Sequence, residues 1–326
     1  MLSRVADALF WMSRYYERAE NTARLIDVNI NMMLDMGDVL GESGSSARYW
    51  NPIIGITSPY DAFRAHHSRT TQESAIEWLT FGEGNPNSIM SCIQSARENA
   101  RAMRGNISSE MWEQINTTYL NLRETSPSDI WREGPHSYFR RIREASQLFQ
   151  GLVETTMLRD EGWRWIKIGS YLERADATTR LVDVKYHILL PSLEDVGGPI
   201  DSVQWIAVLK SCSAYEAYQR RYAARITPSR VAEFLVLDHT FPRSVRFCFD
   251  QMHWALRSIA TDHGEMGEGP AEIVASNVRR TLDETTMNSI IQFGLHQYMV
   301  QLQRNCNTIS GKIAQRYFMG TLRHAA

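Results

Sequence analysis

Cysteine is scarce in this sequence, which has four among 326 residues. They stand far apart, and no two form a Cys-x-x-Cys pair. This spacing argues against a zinc site and against a disulfide framework. Long apolar runs are also missing, since no segment approaches the roughly 18 apolar residues of a membrane-spanning helix. The N-terminal residues carry charge where a secretory signal peptide needs an apolar stretch. We therefore expect a cytoplasmic protein without a membrane partner.

Neither sign of charge dominates, because 35 Lys and Arg face 37 Asp and Glu. A formal charge of -2 provides no general field for nucleic acid, so no nucleic-acid partner is expected. Phosphate-binding glycine loops and the nucleophile-elbow pattern are absent. The carboxylate–histidine pairs of di-iron bundles have one approximate match, Asp250 with His253, and it is not repeated. We expect no metal site and no cofactor.

Glycine and proline are missing from residues 3–35, where apolar residues recur at helical spacing. A second long stretch, 160–190, behaves in the same way, with Gly169 in its interior. Alternation of period two is scarce, so the fold class predicted is all-α. Further helices are expected near 58–82, 87–104, 109–124, 137–158, 202–225, 228–237, 243–261 and 272–318. Loops are expected at 41–46, 125–128, 196–199 and 263–270.

An internal duplication is the strongest pattern. Residues 17–28, which begin Glu-Arg-Ala-Glu, and residues 173–184, which begin Glu-Arg-Ala-Asp, are identical at eight of twelve positions. Shorter matches around Trp78, Ser88 and Cys92 share the offset of 156 residues. We expect a tandem-duplicated helical bundle with pseudo-twofold related halves, 1–156 and 157–326, packed as one body.

Both copies carry an ionic stripe. Because a helix advances about 100° per residue, its four members fall on one narrow face that borders the apolar arc. In the first copy these residues are Glu17, Glu20, Arg24 and Asp27, and in the second they are Glu173, Asp176, Arg180 and Asp183. Carboxylates outnumber arginine on each stripe, so burial requires further cations, and the candidates are Arg97, Arg101 and Arg104, or else a ligand or a metal ion. Such a stripe also suits a purely structural role in fixing helix register.

The sequence resembles the alpha-E domain family, α-helical proteins named for a Glu-Arg motif. The resemblance rests on residues 15–24, 95–101, 109–116 and 159–163, followed by Gly169 and Leu172–Ala175, and it spans almost the whole chain. It implies a partnership with a circularly permuted ATP-grasp ligase and a role in forming peptide or amide bonds. It implies no known reaction for the domain itself. The segment Arg97-Glu98-Asn99 has no counterpart in the second half, so a site built on it is expected to be single.

Three hypotheses follow. The preferred one is a non-catalytic partner of an ATP-grasp ligase that binds the enzyme or presents its peptide substrate. The second is a small-molecule or metal-dependent enzyme, with Glu17, Glu98 and Glu173 as acid–base groups and with Arg97 and Arg101 holding a carboxylate or phosphate. The third is a homo-oligomeric scaffold. The candidate binding or structural residues are Glu17, Arg18, Glu20, Arg24, Asp27, Arg97, Glu98, Asn99, Arg101, Asp160, Glu161, Trp163, Glu173, Arg174, Asp176, Arg180 and Asp183.

Overall fold

The computed structural model describes residues 1–40, 46–188, 198–223 and 226–319, and for 36–40, 186–188 and 199–200 it describes the backbone alone. These residues form sixteen α-helices and no strand, which confirms the all-α prediction. In the first part of the chain the helices are α1 Ser3–Leu40, α2 Ser46–Thr57, α3 Tyr60–His66, α4 Gln72–Phe81, α5 Ile89–Ala102, α6 Ser109–Arg123, α7 Pro127–Glu133 and α8 Pro135–Thr156. They continue as α9 Glu161–Ile188, α10 Pro199–Ser211, α11 Tyr215–Tyr222, α12 Pro228–Leu237, α13 Val245–Asp262, α14 Pro270–Glu284, α15 Met287–Phe293 and α16 Leu295–Ile313, with a π-helical turn over Ala314–Phe318.

The chain divides into two compact units that do not coincide with a cut at residue 156. Unit 1 comprises Met1–Arg14, Met157–His187 and Cys212–Ala326, and unit 2 comprises Tyr15–Thr156 and Ile188–Ser211. The long helix α1 therefore contributes its first residues to unit 1 and the remainder to unit 2. The halves 1–156 and 157–326 were defined by the repeat in the sequence, and their existence as structural halves stays a prediction. None of the helices within the described ranges is long and apolar enough to cross a membrane.

Side-chain caps fix several helix starts. Ser88, Ser108 and Ser244 each accept a hydrogen bond from the backbone N–H three residues later, at 3.1–3.2 Å. Such caps satisfy donors that the first helical turn leaves without partners. Two glycines with positive φ, Gly134 at 92° and Gly294 at 103°, separate α7 from α8 and α15 from α16. Because side chains other than glycine rarely adopt these angles, the two breaks are encoded locally.

Three predicted helices are wrong in extent. The stretch 58–82 is divided into α3 and α4, because Thr71 forms a capping box that starts a new helix. The stretch 202–225 is divided near Ser213, which has a positive φ of 52°. The stretch 272–318 contains three helices, since Thr286 caps α15 and Gly294 ends it.

Two helices were not predicted. The helix α2 contains Pro52, and α7 begins at Pro127 behind a Ser126 capping box within a predicted loop. The loop predicted at 263–270 is confirmed between α13 and α14. Residues 41–45 and 196–197, which belong to the other two predicted loops, lie outside the described residues.

Each unit has a dense aromatic core. In unit 2 the indoles of Trp50 and Trp78 are buried, and the rings of Tyr16 on α1 and Phe149 on α8 lie 4.6 Å apart. In unit 1 the buried Trp165 of α9 packs edge-on against Tyr317, with ring centroids 5.0 Å apart. These contacts hold α1 against α8 and α9 against the end of α16. The same long helices carry the ionic stripes.

Gly169 lets α1 and α9 approach closely within unit 1. A Cβ at this position would lie 2.2 Å from Ser13 Oγ and 2.4 Å from the carbonyl oxygen of Phe10. The second atom belongs to a helix backbone and cannot rotate away. The glycine therefore serves the crossing of the two helices and is retained despite its low helix propensity.

We predict that Gly169→Ala lowers the free energy of unfolding by about 1–3 kcal/mol, because the new methyl group overpacks this crossing. Gly151→Ala is the matched control, since Gly151 is also inside a helix but a methyl group added there would meet nothing within 4 Å. Alanine there should raise stability by roughly 0.5–1 kcal/mol through helix propensity. Urea denaturation followed by circular dichroism measures both values. Equal effects at the two sites would contradict the close-approach explanation.

Candidate functional site

The first ionic stripe lies on the part of α1 that belongs to unit 2, and it is buried. Glu17 and Glu20 are 1% exposed, and Asp27 is 2% exposed. Glu20 Oε1 accepts a hydrogen bond from Arg24 one turn later, so the predicted pairing along the helix is observed. Buried ionised carboxylates require donors or cations from neighbouring helices.

Those donors come from α8, which lies antiparallel beside α1. Gln150 Nε2 donates to Glu17 Oε2 at 2.9 Å and to Glu20 Oε2 at 3.3 Å. Ser146 Oγ donates to the same Glu20 oxygen at 3.0 Å. Two neighbouring carboxylates are therefore bridged by a single amide group. Neither oxygen that this amide bonds faces bulk water.

Asp27 is the member of this stripe that pairs with a cation from α8. Its Oδ2 lies 2.9 Å from the guanidinium of Arg143, and its Oδ1 lies 2.9 Å from Nδ1 of His136. Both partners belong to α8, and with Ser146 and Gln150 they occupy one face of it. Asn31, one turn further along α1, donates to the Asp27 main-chain oxygen at 2.8 Å. The stripe is thus held at both ends by the same partner helix.

In unit 1 the stripe on α9 has different partners. Arg14 of α1 donates through Nε to Glu173 Oε2 at 2.9 Å and through a terminal nitrogen to Ser310 Oγ at 3.0 Å. Arg14 and Glu173 are 7% and 4% exposed. Arg180 donates to Asp176 Oδ2 at 2.7 Å, and His296 Nδ1 lies 2.6 Å from Asp183 Oδ1. This stripe is therefore also paired at the interface of packed helices.

One carboxylate oxygen of the second stripe makes no hydrogen bond with the described residues. This atom, Asp176 Oδ1, is buried. Cys306 of α16 is close enough for the Asp176 charge to help raise the pKa of its thiol, which burial raises most. Ser146 stands 160 residues earlier, where its hydroxyl bonds Glu20. A thiol is a weak donor, so the second stripe lacks a strong bond that the first one has.

The Alpha-E family, described as a predicted alpha-helical domain with a conserved ER motif, matches residues 1–318. This chain belongs to the Alpha-E family. Among curated proteins it is similar to the uncharacterized protein Rv2567 of Mycobacterium tuberculosis (strain H37Rv) and the uncharacterized protein Mb2597 of Mycobacterium bovis. Each is 25% identical over 285 residues, which are 80% of this chain and 30% of the relative. The chain thus spans about three tenths of the length of these curated relatives. No solved structure matches it.

The dipeptide Glu-Arg occurs in both stripes of this Alpha-E chain, as Glu17-Arg18 and Glu173-Arg174. The glutamates are the stripe members described above, whereas the arginines leave the stripe, as predicted. Arg18 donates to Asn87 Oδ1 at 2.6 Å. Arg174 is 8% exposed and lies over the ring of Tyr171, 5.7 Å from its centroid. In each pair the two side chains therefore serve different contacts.

The arginines expected to neutralise the stripes do not do so in the part of the chain that the structure describes. Arg97 donates to Asn116 Oδ1 at 2.8 Å and Glu98 Oε1 at 2.9 Å, and Arg101 lies 2.6 Å from Glu98 Oε2. These contacts remain on α5 and α6. Asn99 is half-buried on α5. The expectation for Arg97, Arg101 and Arg104 is therefore wrong.

These arginines instead build a surface that we call the arginine–aromatic ladder, formed by Arg104, Trp112, Arg97, Tyr119 and Arg123. Arg104 lies 4.9 Å from the Trp112 ring centroid, and Arg97 lies 4.7 Å from that of Tyr119. Arg123 approaches the Tyr119 ring as well, at 5.8 Å. Guanidinium groups stack well on aromatic faces. The ladder is a positively charged strip along α5 and α6.

Asp160, Glu161 and Trp163 form the start of α9, as predicted. Asp160 Oδ1 caps the helix by accepting from the Trp163 N–H at 3.2 Å. Burial favours the neutral acid at Glu161, but hydrogen bonds from the terminal amine, from Trp165 and from His263 lower its pKa. Trp163 packs edge-on against the half-exposed Trp254, with centroids 6.2 Å apart. These residues stabilise the helix start and show no open acid–base pair.

Sequence reasoning missed the stripe partners on α8 and α16. A further repeated segment contained the necessary signal, since Gly134, His136 and Tyr138 match Gly294, His296 and Tyr298 at an offset of 160. The offset differs from 156, so a search at one fixed offset does not find it. Within the described ranges, no group of three His, Cys, Asp or Glu side chains is arranged to hold a metal ion.

We predict that Asp27→Ala lowers the free energy of unfolding by about 3 kcal/mol, because the largely buried Arg143 then loses its carboxylate partner. The imidazole of His136 is more exposed and contributes less. Asp183→Ala is the matched comparison in α9, where the carboxylate is itself less buried than that of Asp27. There the expected loss is about 1 kcal/mol. Chemical denaturation of both variants, with Arg143→Ala and the double variant Asp27→Ala/Arg143→Ala, measures the coupling. Additive effects of the last pair would contradict the assigned ion pair.

Proposed function

We propose that this chain is a non-catalytic partner of an ATP-grasp peptide or amide ligase, which binds the ligase or presents its peptide substrate. The observation that carries the proposal is the contrast between its two sets of charges. Glu17, Glu20 and Glu173 are buried and paired, while Arg104 and Arg123 of the ladder lie exposed. Paired, buried carboxylates suit a framework, and exposed stacked arginines suit recognition.

The buried stripes support a structural role for the Glu-Arg motif. Removal of one partner from a buried ion pair costs far more than the pair contributes, so such pairs impose one helix register. A general acid or base needs access to its substrate, within hydrogen-bond reach. Glu17 and Glu20 are each 1% exposed, and their bonds to Gln150 occupy the oxygens that a substrate would use.

The relatives support a role beside another protein. The matched region is 30% of the length of the curated relatives, so most of each relative lies outside the match. In these relatives the helical region is thus one part of a longer chain, which suits a role beside another domain. The link to ATP-grasp ligases comes from the family resemblance and remains a proposal. The cytoplasmic location is likewise part of this proposal.

The ladder provides the docking surface in this proposal. Arg97 and Arg101 share Glu98, while Arg104 and Arg123 lie against aromatic rings. The strip therefore presents more positive than negative charge, and it suits an acidic segment of the ligase or of a peptide substrate. Opposite charges across an interface mainly raise the rate of association and its dependence on salt.

We also propose that the chain arose by duplication, with pseudo-twofold related halves. The two series α1–α8 and α9–α16 agree in order, and several pairs agree in length, with α4 and α12 at 10 residues and α6 and α14 at 15. The pair that differs most is α1 and α9, with 38 and 28 residues. Cys92 and Cys248 both direct their thiols to the carbonyl oxygen six residues earlier. Ser13 and Gly169, which are 156 residues apart, meet at the helix crossing. Two copies related by a twofold axis place equivalent residues together in this way.

One observation favours the enzyme hypothesis, namely the buried Asp176 oxygen without a partner among the described residues. Glu173→Gln separates the two functions. If this variant abolishes the output of the ligase pathway while its melting temperature stays unchanged, the enzyme hypothesis is supported. A parallel fall in both supports the structural role.

The partner proposal predicts that the chain co-purifies with an ATP-grasp ligase encoded beside it, and that Arg104→Glu/Arg123→Glu weakens this complex at least tenfold. The reason is that reversal of two exposed charges turns attraction into repulsion. Surface plasmon resonance at two salt concentrations measures the change. Arg132→Glu is the control, because Arg132 is 79% exposed on α7, outside the ladder. Absence of a complex, together with unchanged ligase activity when this protein is deleted, would falsify the proposal.

A further inference from the structure

A cavity of about 220 Å³ lies between α6 and α8 of unit 2, on the face of α8 opposite to its contacts with the ionic stripe. Its volume is below the roughly 300–1,000 Å³ of pockets for drug-sized ligands, so its occupant must be small. The inner wall is apolar, and it includes the buried side chains of Ile93, Leu122 and Ile142. The remaining lining is mostly polar or charged.

The α6 wall combines fixed and available polar groups. Gln114 Nε2 donates to the Ala145 carbonyl oxygen at 3.2 Å, and Thr118 Oγ donates to the Gln114 carbonyl oxygen at 2.8 Å. These bonds hold the wall in one conformation. Thr117 and Asn121, by contrast, are exposed at the cavity, where a hydroxyl and an amide can bond a ligand.

The α8 wall provides one charge of each sign. Arg141 and Glu144 both line the cavity, three positions apart on the helix. Positions i and i+3 are neighbours on a helix surface, so the two charges stand side by side at the rim. Arg141 uses one terminal nitrogen for Glu133 at 2.8 Å, which leaves further N–H donors of its guanidinium. Glu144 has a long contact of 3.7 Å with Arg140.

Tyr138 adds a buried polar atom to the same wall. Its side chain is 1% exposed, and its hydroxyl makes no hydrogen bond of good geometry with the described residues. Burial raises its pKa, while the nearby Arg141 guanidinium and Thr125 hydroxyl oppose this shift. The Thr125 hydroxyl already donates to the Asn121 carbonyl oxygen at 2.8 Å. The hydroxyl oxygen is itself buried, so Tyr138 forms part of the closed wall and receives no contact with a ligand.

We infer that this cavity binds a small zwitterion, of the size and charge of a free α-amino acid. Arg141 receives the carboxylate and Glu144 receives the ammonium group, since charge-assisted hydrogen bonds are the strong ones. Thr117 and Asn121 add hydrogen bonds to these two charged groups of the ligand. The apolar inner wall accepts a short side chain. The inference stands on unit 2 alone and does not depend on a ligase partner.

The second copy of the helix pair does not carry the same set. At an offset of 160, Gln301 replaces Arg141, Arg304 replaces Glu144 and Val274 replaces Gln114. The matched helices of unit 1 therefore lack both the pair of opposite charges and the glutamine amide that holds the α6 wall. The proposed site is single, and the matched helices of unit 1 bind no zwitterion by this geometry.

Isothermal titration calorimetry of the whole chain tests the site, with L-alanine, L-serine and L-asparagine as probes. At least one should bind at a stoichiometry of one, while its N-acetyl and methyl ester derivatives bind at least tenfold more weakly. Arg141→Gln should weaken binding at least tenfold, because a charge-assisted bond is lost. Thr117→Trp should abolish binding by filling the mouth without altering a charge. Arg132→Gln, outside the cavity, should leave the affinity unchanged.

Circular dichroism and melting temperature establish that each variant is folded before titration. The inference is overturned if none of the three amino acids binds to the folded chain at about 10 mM, which is close to the weakest useful affinity. It is also overturned if binding survives both Arg141→Gln and Thr117→Trp. Binding of the two derivatives as strongly as of the amino acids would likewise end it, since the paired charges would then have no role.

Discussion

Carboxyl groups buried on α1 and α9 impose the main constraint on this molecule. An isolated buried charge is too costly to keep, so each of these side chains determines what must stand opposite it. The amide of Gln150 stands opposite Glu17 and Glu20, and the guanidinium of Arg143 stands opposite Asp27. A shift of α8 by one turn would separate all of these groups at once. Apolar packing brings the helices together, and the charges select one register.

The two stripes satisfy this constraint to different degrees. The first has a hydroxyl, an amide, an imidazole and a guanidinium from one helix. In the second, Arg14 comes from α1, and Cys306 stands where the first stripe has Ser146. The Asp176 oxygen without a partner among the described residues is the consequence. The matching positions of the two stripes thus both carry acidic groups but have different partners, which is expected where the carboxylates set the register and several donors can bond them.

Much of the local structure follows from the sequence. The tertiary partners of the stripe residues do not follow from it. The helical face shared by Glu20 and Arg24 depends only on a period of 3.6, so it was predicted and is observed. The partner Arg143 lies more than a hundred residues from Asp27, and spacing along the chain gives no information about that contact. Arg97 was one candidate cation for the stripe, yet the ring of Tyr119 and the amide of Asn116 hold it elsewhere. Helix breaks at Thr71 and Gly294 were missed because single capping residues, not hydrophobic periodicity, produce them.

The helices α6 and α14, whose sequences we matched at an offset of 160, carry different residues on the same face. Trp112, Asn116, Tyr119 and Arg123 recur at helical spacing and face the ladder, while the residues that line the cavity lie on the opposite side of the helix. At an offset of 160, the ladder face of α14 has Glu272, Ser276, Arg279 and Asp283.

Those residues of α14 are largely paired inside unit 1. Glu272 is fully buried and accepts a hydrogen bond from Tyr317 at 2.6 Å, and Arg279 pairs with Asp250 at 2.8 Å. Charges that bond within their own unit are not available to a partner molecule. The face of α6 that we propose as a recognition surface thus corresponds in sequence to a face of α14 that is paired within its own unit. Each stripe fixes the register of its own packed helices, and neither stripe includes α6 or α14, so the residues on these two helices can differ.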